Sequence, residues 1–412
     1  VAYNIGIDHW EISDGHIIYD DASLPFSIEL KKLQHSGSGD LNQDQFDLDT
    51  FTKADSVTIV FDGIEYVSDK SLEADVVINI SDEFGKYTFK ENTIKVNEFG
   101  LSFDGFLALL PDGSMDMDIN YSAPESSFKS LLSLVPGVYT QDFGSIETDG
   151  SLSFTGSVKG KYDSLTLPAF NVALNVDNAM FKYPDLPTAI TNIKMDLLVD
   201  NKDGNIDNTV VDLKSFHMDF GQNPIDATMR IKNLVNYDMD ANMKGQLNLA
   251  ELSSMFPMEG TSLQGSYSID LTANGIYDSL KNQVPTISAN MSLANGYVKS
   301  AEFPYALEDL HFNALVKNES GKMDDLYAKV DDFTMVMDGE PFKADLIFEN
   351  LANYTWDLSA SGGIDLEKIT KVFPLEGMQL KGQVKADLTT KGNMAALDAE
   401  KYDQLPTSGA VS

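Results

Sequence analysis

The chain has 412 residues, 42% of them hydrophobic, which is enough apolar material for two to four domains. Its 64 acidic residues outnumber the 29 basic ones and give a net charge of −35, which argues against nucleic-acid binding and a polybasic membrane-surface patch, because both need clustered Lys and Arg. The absence of cysteine excludes disulfides, thiolate catalysis and thiolate metal sites.

No signal segment or membrane-spanning segment is expected within the sequence. The chain opens VAYNIGIDHW, without the initiator Met, basic stretch and apolar stretch that a signal peptide has. No run approaches the roughly 18 consecutive apolar residues of a membrane-spanning helix. We therefore expect any targeting or anchoring segment to lie on chain that precedes Val1.

The first predicted unit, residues 1–165, is β-rich with one short helix. Its segment Gly150–Leu165, GSLSFTGSVKGKYDSL, is similar to GSYSIDLTANGIYDSL at Gly265–Leu280, and the phrase Asp14-Gly-His-Ile-Ile-Tyr19 is similar to the phrase that begins at Asn178. These matches are looser than those that follow, so we expect this unit to be longer and more divergent. Four apolar residues at helical spacing predict its helix: Phe128, Leu131, Leu132 and Val135.

The second predicted unit, residues 166–280, has the alternation typical of strands with one apolar face. From Tyr237 to Leu249 every second residue is apolar or glycine. Asp-Gly, Asn-Gly and Ser-Gly pairs between such runs indicate hairpin turns, and thus antiparallel strands. A short helix is predicted over 249–256, after Asn248 as N-cap and before Pro257.

The third predicted unit, residues 281–397, repeats the second with an offset of 117 residues. Phe256, for example, recurs as Phe373, and a second helix is predicted over 366–373. Eleven residues between Phe256 and Leu280 recur without a gap, which chance does not explain. Residues 398–412 resemble the start of a further unit, so we expect the sequence to be part of a longer array.

Each unit is expected to contain about eight strands. Three such units would form a sheet on the order of 100 Å long at roughly 4.8 Å per strand, which has to curl into a trough, close into a solenoid or break into domains. We predict a mostly β protein, an elongated antiparallel repeating β-groove with one short α-helix per unit of about 117 residues.

No enzymatic or metal-binding motif is recognisable, so we predict no catalytic residue, metal or cofactor. The sequence contains no nucleophile elbow and no phosphate-binding glycine loop, and its five histidines form no metal-ligand pair. Asp40, Asn42 and Asp44 open like a calcium loop, but Gln45 stands where glycine is required and Phe51 where the bidentate Glu belongs. A solvated acidic loop explains this segment better.

The apolar strand faces remain as the candidate site. They are either closed core or the inner wall of an open groove that solvates acyl chains, and 16 methionines slightly favour a groove because Met lines adaptable apolar surfaces. We predict that one continuous concave apolar wall is formed by Met229, Ile231, Met239, Met243, Leu247, Leu346, Phe348, Trp356, Leu358, Val384 and Leu388.

Two recurring phrases give the chain its resemblance to a known family. One is apolar-x-Asn/Asp-Gly/Ala-x-apolar-x-Tyr, matched by Ile12-Ser-Asp-Gly-His-Ile-Ile-Tyr19 and Val176-Asp-Asn-Ala-Met-Phe-Lys-Tyr183. The other joins a Leu-x-Gly strand to a Gly-x-x-x-x-Leu turn, matched by Leu263-Gln-Gly265 with Gly275–Leu280 and by Leu380-Lys-Gly382 with Gly392–Leu397. In their order and repetition these phrases resemble the AsmA-like family, the bacterial relatives of TamB.

The resemblance implies a protein of the Gram-negative periplasm, anchored in the inner membrane by an N-terminal helix that this sequence does not include. Its taco-shaped β-groove would conduct phospholipids toward the outer membrane, with acyl chains as the bound partner and no catalytic residues. Two alternatives stay open: a structural or assembly scaffold of the envelope with closed apolar faces, and a glycan-binding surface β-protein. Glycan binding calls for exposed aromatic platforms, whereas Trp356, one of two tryptophans, belongs to an alternating apolar face.

Overall fold

A computed structural model gives the fold of most of the chain. The residues that it describes are 8–21, 26–40, 43, 45–61, 63–81, 85–123, 127–134, 146–163, 166–182, 188–255, 260–300, 305–351, 353–366 and 382–411. They form two compact units, the first made of residues 1–184 and 192–214, the second of 185–191 and 215–412.

The first unit is an antiparallel meander in which each strand pairs with the next from β1 to β9. Its strands are β1 (His9–Asp21), β2 (Phe26–Ser38), β3 (Phe46–Phe61), β4 (Ile64–Ser81), β5 (Lys86–Val96), β6 (Phe99–Leu109), β7 (Met115–Ser122), β8 (Glu147–Tyr162) and β9 (Ala169–Lys182). The strands β10 (Ile190–Asn201) and β11 (Val210–Phe220) are divided in sequence between the two units.

The second unit is also an antiparallel meander, with consecutive pairing from β12 to β21. Its strands are β12 (Asn223–Lys232), β13 (Asp238–Asn248), β14 (Ser262–Ile276), β15 (Thr286–Lys299), β16 (Leu307–Asn318), β17 (Tyr327–Met337), β18 (Glu340–Glu349), β19 (Thr355–Asp365), β20 (Gln383–Gly392) and β21 (Thr407–Val411). The mostly β, antiparallel fold predicted from the sequence is confirmed.

Three short α-helices occur in the described residues: α1 (Phe128–Leu132), α2 (Leu249–Met255) and α3 (Met394–Asp398). Asn248 caps α2 as predicted, because its Oδ1 accepts hydrogen bonds from the backbone N–H groups of Ala250 at 3.0 Å and Glu251 at 3.3 Å. The helix predicted over 366–373 lies outside the described residues after Leu366. The alternation in the sequence did not indicate α3.

The strand boundaries recur with the offset of 117 residues. Strands β9 to β13 begin and end 117 residues before β15 to β19, so that β9 at Ala169–Lys182 corresponds to β15 at Thr286–Lys299. The expectation of about eight strands per unit agrees with residues 1–165, which contain β1 to β8, but was wrong for residues 281–397, which contain six, β15 to β20, among those described. These strands are 10 to 14 residues long. They exceed the typical five or six residues, so fewer fit into one unit.

The recurring Asn/Asp-Gly/Ala phrase marks a β-bulge. Asp14, Asn178 and Asn295 have φ values of 53°, 48° and 52°, in the left-handed region that Asn and Asp tolerate better than other non-glycine residues. The ladder register shifts beside each of them, for instance between Leu293 and Gly296. The phrase therefore has a local physical cause, an extra residue that bends one strand of the pair.

A buried asparagine that hydrogen-bonds to the backbone recurs in the turns after β10 and β16. Asn201 and Asn318 are each 1% exposed. The Asn318 Nδ2 group donates to the Lys322 carbonyl at 2.6 Å, and its Oδ1 accepts from the Gly321 N–H at 2.8 Å. Asn201 makes the matching bonds at 2.6 and 2.7 Å. A buried amide thus replaces the backbone partners that these turns lack.

The core of the second unit lies along the side of the sheet where α2 packs. Leu293, Leu310 and Met335 are 6 to 8% exposed and pack together. Leu249, the first residue of α2, packs against this cluster. The start of the helix thus helps to bury this cluster.

Candidate functional site

One face of the second unit carries uninterrupted rows of mainly apolar residues. Residues that lie directly opposite each other on antiparallel strands project to the same side of the sheet, so the register defines the rows. From β12 to β20, one row is Ala227, Met243, Leu271, Ala289, Val316, Ala328, Phe348, Trp356 and Gly392. The next row is Ile225, Gly245, Ile269, Met291, Ala314, Val330, Leu346, Leu358 and Thr390.

The register brings all eleven residues of the predicted wall to this face. Five belong to the two rows just described: Met243, Leu346, Phe348, Trp356 and Leu358. Four lie in neighbouring rows, with Met229 opposite Ala241, Ile231 opposite Met239, and Leu247 opposite Tyr267. On β20, Leu388 faces Ala360, and Val384 lies four residues earlier on the same side. We call this surface the apolar face.

The apolar face is incompletely covered. Met243 is 37% exposed, and the other ten residues of the predicted wall are half-buried, whereas Leu293 is 7% exposed. On this face the large side chain of Leu293 is buried beside α2, and in the two rows only the small residues Gly245 and Ala289 are buried. The rest of the face keeps partial access to solvent. An open groove requires such access, whereas a closed core would exclude solvent from these side chains.

The first unit has a similar face, which the sequence prediction missed. One row runs from β3 to β9 through Leu48, Ile78, Phe89, Gly105, Ile119, Val158 and Phe170. The Tyr121 ring lies in the adjoining row, where burial raises the pKa of its phenol, and its hydroxyl donates to the Asn171 carbonyl at 2.9 Å. Alternation in these strands could have indicated the row, but only the register aligns it across seven strands.

The opposite side of the second unit is polar. A depression of about 630 Å³ there runs over β12 to β17, with Ser268 and Ser292 on its floor, joined through their hydroxyls at 2.7 Å. Charged pairs such as Lys244 with Asp270, at 3.3 Å, form its walls. The depression is also lined by Ile269, Met291 and Ala314, but its charged and hydroxyl side chains distinguish this side from the two apolar rows, which carry no charged residue. We therefore locate the candidate site on the apolar face.

No metal site is present among the described residues, since no group of three or more His, Asp or Glu side chains has a metal-binding arrangement. The two ring nitrogens of His217 contact the carboxylates of Asp226 at 2.7 Å and Asp219 at 3.4 Å. In the suspected calcium loop, Asn42 and Asp44 lie outside the described residues, and Asp40 accepts a hydrogen bond from Gln43.

Calcium should leave the thermal stability of the protein unchanged. Because Phe51 cannot supply the bidentate carboxylate and Gln45 replaces the glycine that the sharp turn needs, the loop cannot complete the coordination shell of the ion. Thermal unfolding followed by circular dichroism with millimolar calcium, against magnesium as the control, checks this. A rise of several degrees with calcium alone would contradict it.

The fold and the apolar face define a class: a protein of repeated antiparallel strands that presents a long, partly exposed apolar surface. Comparisons of the chain with protein-family models, curated proteins and solved structures find no match. The resemblance to the AsmA-like family stays a prediction. Within the described residues, no helix is both long enough and apolar enough to traverse a bilayer.

Proposed function

We propose that the chain is a segment of an envelope lipid-transport protein of the periplasm, whose apolar face holds phospholipid acyl chains on their way between the inner and outer membranes. The observation that carries the proposal is the partial exposure of apolar rows that continue over nine strands. Large contiguous apolar surface is rare on soluble proteins unless something binds there.

The dimensions of the rows suit acyl chains. Nine strands at roughly 4.8 Å give a row on the order of 38 Å. One acyl chain spans roughly 15 Å, half of the hydrocarbon core of a bilayer. A row therefore offers continuous apolar contact for longer than one chain, as transport along the face would require.

The side chains also suit a ligand without fixed shape. Met229, Met239, Met243 and Met291 lie on the apolar face, and their unbranched, polarisable side chains adapt to mobile partners. Among the residues of the two rows, charged side chains are absent, so an acyl chain meets no desolvation penalty there.

Quenching of Trp356 fluorescence by brominated phosphatidylcholine tests this function. Trp356 lies opposite Phe348 on the apolar face, and Trp10→Phe leaves it as the sole tryptophan. We expect saturable quenching by the brominated lipid, none by the unbrominated lipid and no change with cellohexaose. Failure of the brominated lipid to quench would contradict the proposal, and a response to cellohexaose would favour the glycan alternative.

A further inference from the structure

The second unit has an apolar margin that the acyl-chain site does not use. Every second connection between consecutive strands of the meander lies at the strand ends away from α2. We call this set of connections the turn rim. The rim consists of residues 233–237, 277–285, 319–326, 350–351, 353–354 and 393–406.

Hydrogen bonds join the successive turns of the rim into one continuous structure. Their backbone N–H to carbonyl pairs are Tyr277 to Tyr237 at 3.2 Å, Val284 to Gly321 at 2.8 Å, Leu351 to Asp324 at 3.0 Å and Met394 to Asn353 at 2.9 Å. The backbones of the turns are therefore held side by side, which places the side chains that they carry along one margin.

The rim concentrates the exposed large apolar side chains of the second unit. Leu280 is 97% exposed, Tyr402 65% and Val235 60%. In the described part of this unit, the remaining side chains of this kind are Ile276, which directly precedes a rim turn, and Met243 on the apolar face. The other exposed rim residues are Tyr237, Tyr277, Met323, Tyr354, Met394 and Leu397.

We propose that the turn rim docks on the surface of a lipid bilayer with electrically neutral, zwitterionic headgroups. The exposed large side chains of the rim are four tyrosines and five Leu, Met or Val residues. A tyrosine ring, with its apolar body and polar hydroxyl, suits the boundary between acyl chains and headgroups. The rim is continuous with the apolar face, because the Tyr354 ring lies 5.8 Å from that of Phe348. A membrane held there borders the surface proposed to take up acyl chains.

The negative charge of the rim favours bilayers with neutral headgroups over anionic ones. Acidic residues outnumber lysines in its turns, within a chain of net charge −35. An anionic bilayer would repel this margin, whereas a zwitterionic one permits the apolar side chains to insert. The rim should therefore bind phosphatidylcholine more tightly than mixtures rich in phosphatidylglycerol, the reverse of a polybasic patch.

Vesicle flotation of the full chain tests the proposal. The test variant combines Val235→Ser, Leu280→Ser and Tyr402→Ser. Because these three side chains are largely exposed, we expect the variant to fold, and a thermal melt checks this. The matched control is Ile18→Ser, which removes a side chain of 65% exposure outside the rim. We expect wild type and control to float with phosphatidylcholine vesicles. The triple variant should bind these vesicles at least about tenfold more weakly than the wild type.

Three results would overturn the proposal: no flotation of the wild type, unchanged flotation of the triple variant, or tighter binding to vesicles with equal parts phosphatidylglycerol. A rim-dependent dimer in sedimentation, without vesicle binding, would assign the rim to a second copy instead. Because flotation reports docking and Trp356 quenching reports acyl chains on the apolar face, the failure of one proposal is distinguishable from the failure of the other.

Discussion

Replacing Leu293 with Asp should unfold or strongly destabilise the protein, whereas the same replacement at Met243 should leave it folded. Leu293 is 7% exposed in the cluster with Leu310 and Met335, so its carboxylate would be buried without a partner, at a cost on the order of 3 kcal/mol or more. Met243 is 37% exposed, so a carboxylate there keeps its hydration, and the expected loss is below about 1 kcal/mol.

The Met243→Asp variant should nevertheless lose bound lipid, because it introduces a charge into an apolar row, between Ala227 and Leu271. Urea unfolding and native mass spectrometry, run on the same preparations, measure both effects. Met243→Leu is the control that keeps the surface apolar. If Met243→Asp unfolds as Leu293→Asp does, the face is closed core, and the scaffold alternative explains it.

The second large effect is expected at the two buried asparagines. Asn318→Leu would leave the Gly321 N–H and the Lys322 carbonyl without their side-chain partner inside the protein. The expected cost is about 2–4 kcal/mol, because an unsatisfied polar group costs roughly 1–3 kcal/mol when buried and the exposure of Lys322 lowers its share. Asn201→Leu should cost a similar amount, because Asn201 makes the equivalent pair of hydrogen bonds.

Chemical denaturation of the two variants, singly and combined, measures these costs. Similar values for Asn201→Leu and Asn318→Leu would agree with the repeat that relates the two turns. A matched control is Asn313→Leu, an exposed asparagine on the polar side of β16, which should change the free energy of unfolding by about 0.5 kcal/mol or less. A large cost at Asn318 alone would show that the turns are not equivalent.

The sequence was informative wherever one strand or one helix determined the outcome. Alternation from Tyr237 to Leu249 predicted β13, and Asn248 predicted the start of α2. The sequence also placed all wall residues on alternating positions, which is why the register could later bring them to one face. Local periodicity is visible in a single sequence because neighbouring residues on a strand alternate between its two sides.

Features that depend on distant residues could not be read in this way. The number of strands in residues 166–280 and 281–397 was overestimated because strand length is set by pairing with neighbours. The face in the first unit was missed because bulges, such as the one beside Phe89, shift the register between strands. The turn rim was missed because five connections far apart in sequence meet only after the meander has formed.

Native mass spectrometry of the purified chain tests the central claim most directly. If the apolar face holds acyl chains, the wild type should carry co-purified phospholipid, released on collisional activation as ions of phospholipid mass, and Met243→Asp should carry much less while remaining folded. A wild-type protein that shows only its bare mass after gentle desolvation, and stays bare after incubation with phospholipid, would contradict the account.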